Sequence, residues 1–336
     1  MKAVRFHRTG GPDVLTVESV PDPVPGPGEA VVRVRAAALN RLDSFLRSGA
    51  STMPGFSMPH TGGFDIAGDV LTVGAGGDPA MVGRPVVIKA RIAGPQSRGR
   101  LDIIGIARPG GFAEQVLVPL EALVPKPAPL SYAEAAAYPC VYLTAYYGLA
   151  LAAGVRPGET VLVHAGGSGA GVAAIQIAKL MGAQVIATVG SAAKAEKARS
   201  LLGVDQVVNY RTDDLAAAIK SFTHGRGVDV VFDPIWGNSA AKTIDCFAYH
   251  GRWIVLGMVG GLNAELNAAK LMFREVTLRG IVEFYCADEV FHAALNLAHQ
   301  GKLRPLVDRV WPLEQLADAY RQLESGEFFG KIVVQP

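Results

Sequence analysis

Short apolar runs alternate with glycine- and proline-rich turns over the first 125 residues of the chain. The runs at 14–17, 30–35 and 84–88 are rich in valine, and the segment 22–28 contains three prolines and two glycines. Short β-branched runs bounded by turn residues are typical of β-strands. We therefore predict a mostly β domain with long loops over residues 1–125.

From residue 126 the pattern changes to apolar runs separated by helical periodicity. Strands are predicted at 161–164, 185–189, 206–208, 229–232, 253–256 and 277–281, with helices at 172–181 and 192–202. Strands that alternate with helices at this spacing form right-handed βαβ units on a parallel sheet. Residues 126–289 are therefore predicted to be an α/β domain with a doubly wound parallel sheet.

The last segment, 290–336, again mixes strands and helices. Helices are predicted at 290–299 and 313–324, and strands at 306–310 and 331–334. We expect the short final strand to return to the first domain. The first domain would then consist of residues 1–125 and 290–336.

The composition narrows the class of protein. A chain of 336 residues fits two domains, and 50% hydrophobic with 18% charged residues argues against disorder. A net charge of +2 with scattered lysines and arginines gives no footprint for nucleic acid. Three cysteines form neither a disulfide framework nor a four-thiolate zinc site, and the N-terminus lacks an apolar signal segment. These features predict a cytoplasmic protein.

One uncharged stretch, 135–155, is about long enough to cross a bilayer. It is interrupted by Pro139, Thr144 and Gly148, and charged segments flank it on both sides. We interpret it as a buried or interface helix rather than a membrane span. No membrane partner is predicted.

A glycine-rich turn follows the apolar run 161–164 and precedes a helical pattern. It consists of Gly166, Gly167, Ser168, Gly169, Ala170 and Gly171. Between a strand and a helix, such a turn directs backbone N–H groups and a helix N-terminus at a pyrophosphate. Serine replaces the middle glycine of the usual pattern, and its hydroxyl could donate to a phosphate. The turn predicts a dinucleotide site; a plain tight turn is the alternative.

The end of the second strand of this domain indicates which dinucleotide binds. NAD sites place a carboxylate there, about 20 residues beyond the glycines, to accept from the ribose 2′-OH. Here the chain has Gly190, Ser191 and Lys194 and no carboxylate, while Tyr210 follows the third strand. A lysine and a hydroxyl favour a 2′-phosphate, so the predicted cofactor is NADPH. The alternative is that Lys194 is a solvated helix residue and Tyr210 a packing residue.

The chain resembles the medium-chain dehydrogenase/reductase superfamily along nearly its whole length, and within it the zinc-free quinone oxidoreductases. The segments that carry the resemblance are 6–12, 38–43, 47–49, 143–146, 164–171, 251–254 and 330–333. Ser168 and the segment 38–43 are especially similar to the branch that contains the p53-inducible quinone oxidoreductase.

The resemblance implies a GroES-like, mostly β catalytic domain and a Rossmann domain inserted into it, with the active site in the cleft between them. It implies that Asn40 and Asp43 face the substrate and that Thr144 contacts the nicotinamide. It also implies that Lys194 and Tyr210 hold the 2′-phosphate, and we assign Lys331 to the cofactor. A homodimer joined through the sixth Rossmann strand is the family expectation.

The resemblance also bears on zinc. Zinc-dependent relatives have Cys-His where this chain has Asn40-Arg41, and Gly-His-Glu where it has 63–65, although Cys140 keeps the third ligand position. The segment 89–111, where those relatives carry four structural cysteines, contains none. One thiolate without a histidine partner does not make a catalytic zinc site with three protein ligands. We therefore predict no metal.

Without a metal to ionise an alcohol, the easier reaction is hydride transfer to a small electrophile that is already electron-poor. We predict reduction of a quinone or an α,β-unsaturated carbonyl, with Phe45, Ser51 and Phe64 in the substrate pocket. Many relatives have a tyrosine where this chain has Ser51, so the proton donor is open. An enoyl-thioester reductase and an NADPH-binding protein with little turnover remain alternatives.

Overall fold

A computed structural model describes residues 1–92 and 102–336 of the chain. The described residues divide into two compact units. The first unit consists of Met1–Cys140 and Phe284–Pro336, and the second of Val141–Glu283. Residues 93–101, within the segment 89–111 considered above, lie outside the described part.

The first unit is built on a seven-stranded sheet. Its strands are β3 (Glu29–Ala38), β4 (Asp65–Val73), β5 (Pro85–Ile88), β6 (Gln115–Pro119), β7 (Leu123–Pro125), β14 (Val307–Pro312) and β15 (Lys331–Gln335). They run in the order β14-β15-β3-β4-β5-β7, with β6 paired to β3. β14 and β15 are parallel, and the other pairs are antiparallel. β1 (Lys2–Arg5) and β2 (Thr16–Ser19) form a separate antiparallel pair.

The final strand, β15, lies inside this sheet, between β14 and β3. Its Ile332 and Val334 are buried with Val32 and Val34 of β3 in one hydrophobic core. Leu316 and Leu323 belong to the same core, and full burial of such side chains contributes about 1.5–3 kcal/mol each. The last strand therefore lies in the sheet of the first unit, to which it was expected to return.

The second unit contains a six-stranded parallel sheet. Its strands are β8 (Thr160–Val163), β9 (Gln184–Val189), β10 (Gln206–Asn209), β11 (Val228–Asp233), β12 (Phe247–Val255) and β13 (Thr277–Gly280). Their order is β10-β9-β8-β11-β12-β13. This is the doubly wound Rossmann order, which reverses direction between the first and fourth strands and leaves a ligand crevice at their carboxyl ends. The predicted fold class is confirmed.

Helices complete the two units. They are α1 (Arg41–Ser48), α2 (Tyr132–Ala136), α3 (Pro139–Tyr146), α4 (Gly169–Leu180), α5 (Ala192–Leu202), α6 (Leu215–Phe222), α7 (Ala240–Thr243), α8 (Ala268–Arg274), α9 (Asp288–His299) and α10 (Leu316–Ser325). A π-helical segment, Tyr147–Ala153, follows α3 directly.

The unit boundaries differ from the predicted ones at 125 and 290. Residues 126–140 belong to the first unit, where the hydroxyl of Tyr138 donates to the carbonyl of Ala294 at 2.7 Å. The uncharged stretch 135–155 is not one helix, because α2 ends before Pro139 and α3 begins there. No helix in the described ranges is long and apolar enough to cross a membrane.

Candidate active site

Asn40 and Asp43 stand at the start of α1, where the chain leaves β3. Asn40 is extended, with φ −128° and ψ 157°, and precedes the first helical residue. The Asp43 carboxylate reaches back and accepts from the backbone N–H of Asn40 at 2.9 Å. Its other oxygen accepts from the N–H of Gly63 at 3.1 Å. Both residues are buried, with exposed fractions of 8% and 3%. The helix start therefore fixes the two predicted catalytic side chains.

Burial raises the pKa of Asp43 to about 7 from 3.8. Hydrogen bonds from Gly63 and Asn40 and the charge of Lys331 oppose this effect, while the charge of Asp65 adds to it. Loss of hydration dominates because a carboxylate in a low-dielectric interior is poorly solvated. Asp43 therefore titrates near neutral pH and aligns the backbone of the helix start.

The ammonium of Lys331 organises the same cluster. It donates to Asn40 Oδ1 at 2.7 Å, to the carbonyl of Leu39 at 2.9 Å and to Asp65 Oδ2 at 3.1 Å. Asn40 Nδ2 donates to Asp65 Oδ2 at 2.9 Å. An ammonium has three donors, and all three are used inside the first unit. Lys331 therefore holds the amide of Asn40, and its predicted contact with the cofactor stays a prediction.

These contacts fix the orientation of the Asn40 amide. Its oxygen faces a cation and one N–H faces a carboxylate, so a flipped amide would oppose both. The second N–H has no partner within the described part of the first unit. Asn40 therefore keeps one amide donor for a ligand.

The predicted pocket residues have different surroundings. Phe45 and Ser51 are half-buried. Phe64 is buried in a cluster with Leu46, and its ring centroid lies 5.6 Å from that of Phe284. Phe64 is thus a core residue of the first unit. Thr144 is a buried residue of α3 and belongs to the second unit.

One residue that the sequence reasoning did not single out is Arg41, the first residue of α1. Burial lowers its pKa, and the charge of Glu324 partly offsets this. Its guanidinium makes no hydrogen bond or ion pair with the residues that the structure describes. A half-buried guanidinium beside Asn40 suits an anionic group of a ligand. The feature of the sequence that could have identified Arg41 is its position directly after Asn40, the cap of α1.

In the second unit the glycine-rich turn joins β8 to α4. Ala165 has a left-handed φ of 52°. A Cβ on Gly171 would lie 2.2 Å from the carbonyl oxygen of Ala165, and one on Gly166 would lie 2.9 Å from Ala187. Both positions therefore require glycine. Ser168 precedes the first residue of α4, and its hydroxyl oxygen accepts from Gly171 N–H at 3.0 Å.

That capping bond leaves the Ser168 hydroxyl hydrogen free to donate elsewhere. Gly167 and Gly169 are buried and Ala170 is half-buried. Backbone N–H groups at the start of α4 are the anion-binding groups of such a turn. The six predicted residues therefore form a single strand–turn–helix connection.

The end of β9 carries the other predicted cofactor residues. Ser191 precedes α5, and its hydroxyl oxygen accepts from Lys194 N–H at 3.3 Å. The Tyr210 side chain lies against Gly190, since a Cβ there would be 2.6 Å from the phenol oxygen. Tyr210 is 56% exposed. Gly190, Ser191 and Tyr210, with the backbone of Lys194, thus come together at the carboxyl edge of the sheet.

The donor set in the first unit does not fit a catalytic zinc ion. Both oxygens of Asp65 are engaged, one by the N–H of Cys140 at 3.0 Å and the other by Lys331 and Asn40. Phe64 offers no ligand atom. In the described ranges no group of three or more His, Cys, Asp or Glu side chains could hold a metal ion.

Two sequence families match the chain. Residues 26–128 match the alcohol dehydrogenase GroES-like domain, and residues 169–300 match the family described as zinc-binding dehydrogenase. A quinone oxidoreductase of Pongo abelii is 30% identical over 97% of this chain and 94% of its own length.

Solved structures resemble the whole chain. A crystal structure of an NAD-dependent alcohol dehydrogenase is 40% identical, with a TM-score of 0.92 and full coverage of both chains. The quinone oxidoreductase of Escherichia coli complexed with NADPH is 28% identical, with a TM-score of 0.86 and again full coverage of both. The chain belongs to the quinone oxidoreductase branch of the medium-chain dehydrogenase/reductase superfamily, whose members are oxidoreductases that bind a nicotinamide cofactor.

Proposed function

We propose that this oxidoreductase transfers a hydride from NADPH to a quinone or an α,β-unsaturated carbonyl compound without a bound metal. The observation that carries the cofactor choice is the end of β9: residues 189–194 contain a serine and a lysine and no carboxylate, and Tyr210 lies against Gly190. A 2′-phosphate would be attracted by Lys194 and would be repelled by the acid that NAD sites place there.

The relatives differ in their cofactor and do not decide between NADPH and NADH. The Escherichia coli enzyme was crystallised with NADPH, whereas the 40% identical alcohol dehydrogenase is named as NAD-dependent. The proposal therefore rests on the residues of this chain. Ser191 supports it because its O–H hydrogen is not consumed by the helix cap and can donate to a phosphate oxygen.

A fluorescence titration with NADPH and NADH tests this choice. We expect NADPH to bind at least tenfold more tightly, which corresponds to about 1.4 kcal/mol. Lys194→Glu should abolish the preference by weakening NADPH binding, while Lys220→Glu, an exposed charge reversal on α6, should leave it intact. Equal affinities of the unaltered protein for the two cofactors would contradict the proposal.

The metal-free part of the proposal rests on the donor set of the first unit. Zinc sites in enzymes use three Cys, His or carboxylate ligands, and here Asn40 and Asp65 are held by an ammonium. Metal analysis of the purified protein should find substoichiometric zinc. Stoichiometric zinc that tracks with activity would contradict it.

The residues of the first unit suit the stabilisation of negative charge on a carbonyl oxygen. NADPH, when bound, supplies the hydride. The second N–H of Asn40 is the proposed donor to the developing oxyanion, and one such donor contributes about 3–4 kcal/mol. Lys331 polarises the amide, and Asp43 holds the helix start. We propose Thr144 as a nicotinamide contact and Phe45 and Ser51 as substrate contacts.

An NADPH-oxidation screen over quinones, enals and enoyl-CoA esters tests the substrate class. Turnover of quinones or enals is the expected result. Selective turnover of the thioesters would favour an enoyl-thioester reductase, and no turnover at all would favour a cofactor-binding role.

We further propose a homodimer through the outer edge of the parallel sheet. β13 is the edge strand, so one side of its backbone has no strand partner in the described part of the unit. Leu278 on this strand is 41% exposed, and Met272 and Phe273 of the preceding helix are 69% and 75% exposed. An exposed edge strand beside apolar side chains is a ready site for pairing with a second copy.

A further inference from the structure

A buried histidine connects the glycine-rich turn to the loop that follows β11. His164 lies directly after β8 and is 4% exposed. Its Nδ1 is 3.2 Å from Thr188 Oγ1, and its Nε2 is 2.9 Å from Thr243 Oγ1. Thr188 belongs to β9 and Thr243 to α7. The imidazole therefore spans three elements of the second unit.

The partners of the two threonines determine where the hydrogens lie. Thr243 donates its only hydroxyl hydrogen to the carbonyl of Ser239 at 2.9 Å. Nε2 of His164 must therefore be the donor to Thr243. Thr188 Oγ1 accepts the N–H of Ala165 at 3.2 Å, which leaves its own hydrogen for Nδ1. Every donor and acceptor in the chain Ala165–Thr188–His164–Thr243–Ser239 is then satisfied once.

Both ends of this chain lie at the edge of the sheet where ligands bind. Ala165 is the left-handed residue that opens the glycine-rich turn. Ser239 belongs to the loop after β11, which the Asp233 carboxylate fixes from its other side by accepting from the N–H groups of Ile235 and Trp236. β8 and β11 are adjacent, and the crevice of a doubly wound sheet lies at the carboxyl ends of such strands.

We propose that neutral His164, with its hydrogen on Nε2, is a positioning residue that holds Ala165, and with it the glycine-rich turn, in the conformation that binds the cofactor pyrophosphate. The residue touches no reacting atom and acts through Thr188. This rests on the assignment of the turn to the dinucleotide and not on the choice between NADPH and NADH, nor on the substrate.

The surroundings of His164 favour the neutral form. Burial lowers its pKa, and the charge of Asp233 partly offsets this effect. A protonated ring would present Nδ1–H to Thr188, which would then face two donors and have no acceptor for its own hydrogen. Protonation would therefore leave the hydroxyl hydrogen of Thr188 buried without an acceptor, which disfavours the imidazolium.

Paired substitutions at Thr188 separate this role from packing. Thr188→Val keeps the shape and removes the hydroxyl, whereas Thr188→Ser keeps the hydroxyl. We expect Thr188→Val to raise the Kd and the KM for the cofactor about fivefold to tenfold, as the loss of one buried hydrogen bond implies. The kcat and the KM for the electron acceptor should stay unchanged. Thr188→Ser should bind the cofactor as the unaltered protein does.

Equal cofactor affinity of the Val and Ser variants would overturn the proposal, as would a fall in kcat without a change in Kd. The titration measures binding directly, so a protein that binds cofactor but reduces no quinone would refute the proposed function and leave this inference standing. Conversely, if the protein is an active reductase and Thr188→Val and Thr188→Ser bind the cofactor equally well, only the positioning role of His164 is refuted.

A spectroscopic test observes the imidazole itself and needs a variant only to assign its signal. Long-range ¹⁵N–¹H spectra of protein with ¹⁵N-labelled histidine report the tautomer and charge of each imidazole. We expect one histidine, absent from the spectrum of His164→Gln, to be neutral with its hydrogen on Nε2 at pH 6.5, where a free imidazole is half protonated. An imidazolium at that pH, or a hydrogen on Nδ1, would overturn the proposal.

Discussion

At the scale of single residues, the charge of Lys331 decides what Asn40 can do. An asparagine amide is a modest donor, but its oxygen here faces an ammonium at 2.7 Å. That contact draws electron density from the amide and makes its N–H groups better donors. Hydrogen bonds polarise one another in this way in the low-dielectric interior of a protein. We therefore propose that Lys331, which the sequence suggests as a cofactor ligand, acts on the substrate side of the reaction.

Replacing Lys331 distinguishes a role in cofactor binding from a role in polarising the Asn40 amide. We expect Lys331→Met to lower kcat about tenfold to a hundredfold, part of the effect of losing one oxyanion donor, with little change in the KM for NADPH. An exposed lysine on the same unit, changed by Lys302→Met, is the control. A raised KM for NADPH at constant kcat would return Lys331 to the cofactor.

Lys331→Met also leaves Asp65 buried without its cation, and such a loss costs about 3–5 kcal/mol. The double variant Lys331→Met/Asp65→Asn removes both charges and keeps the shape. If Lys331 acts through the Asn40 amide, the double variant should also turn over slowly, although it is the more stable of the two. Recovery of full kcat in the double variant would contradict this role.

Contacts between residues that are far apart along the chain could not be predicted from the sequence. The pairing of Asn40 with Asp65 and Lys331 joins positions 25 and 291 apart along the chain, and no local pattern predicts it. The packing of Phe64 is of the same kind, because its ring contacts Phe284, which lies far away along the chain.

At the scale of elements, the parallel sheet could be predicted almost residue by residue. The predicted helix 192–202 and strand 185–189 correspond to α5 and β9, because continuous apolar runs bounded by glycine turns define buried parallel strands. β12 begins at Phe247, before the predicted 253, because Phe247 pairs with Val228 of β11 ahead of a register shift. A bulge of this kind depends on the neighbouring strand.

The edge strand β13 is the proposed contact between two copies of the chain. We expect Leu278→Lys to convert the proposed dimer to monomer in analytical ultracentrifugation, because a twofold pairing would bring two like charges close to one another across the interface. Val24→Lys, at an apolar residue of the first unit that is 81% exposed, should leave the dimer intact. A monomeric unaltered protein would refute the interface.

At the scale of the whole molecule, buried ionisable groups make stability depend on pH. The pKa of Asp43 rises from 3.8 to about 7 on folding. Between these values the folded protein binds more protons than the unfolded one, so this group's contribution to stability falls as the pH rises through 7. His164 acts in the opposite sense, because its lowered pKa favours the folded state as the pH rises.

A comparison with Asp43→Asn isolates the first effect. From pH 5 to pH 8, the free energy of unfolding of the unaltered protein should fall by about 3 kcal/mol relative to the variant. Chemical denaturation at the two pH values measures this difference, followed by a probe of the first unit alone because the two units need not unfold together. A difference that does not change with pH would mean that Asp43 stays ionised in the folded state.

The position of β15 inside its sheet sets the order in which this enzyme can be assembled. The inserted unit leaves the ribosome before residue 331, so its parallel sheet can form during translation, whereas β3 has to wait for a neighbour made some 290 residues later. Lys331 is the first residue of that late strand. Asn40 and Asp65 therefore remain without their cation until synthesis is nearly finished, so the glycine-rich turn can form before the proposed oxyanion donor is in place.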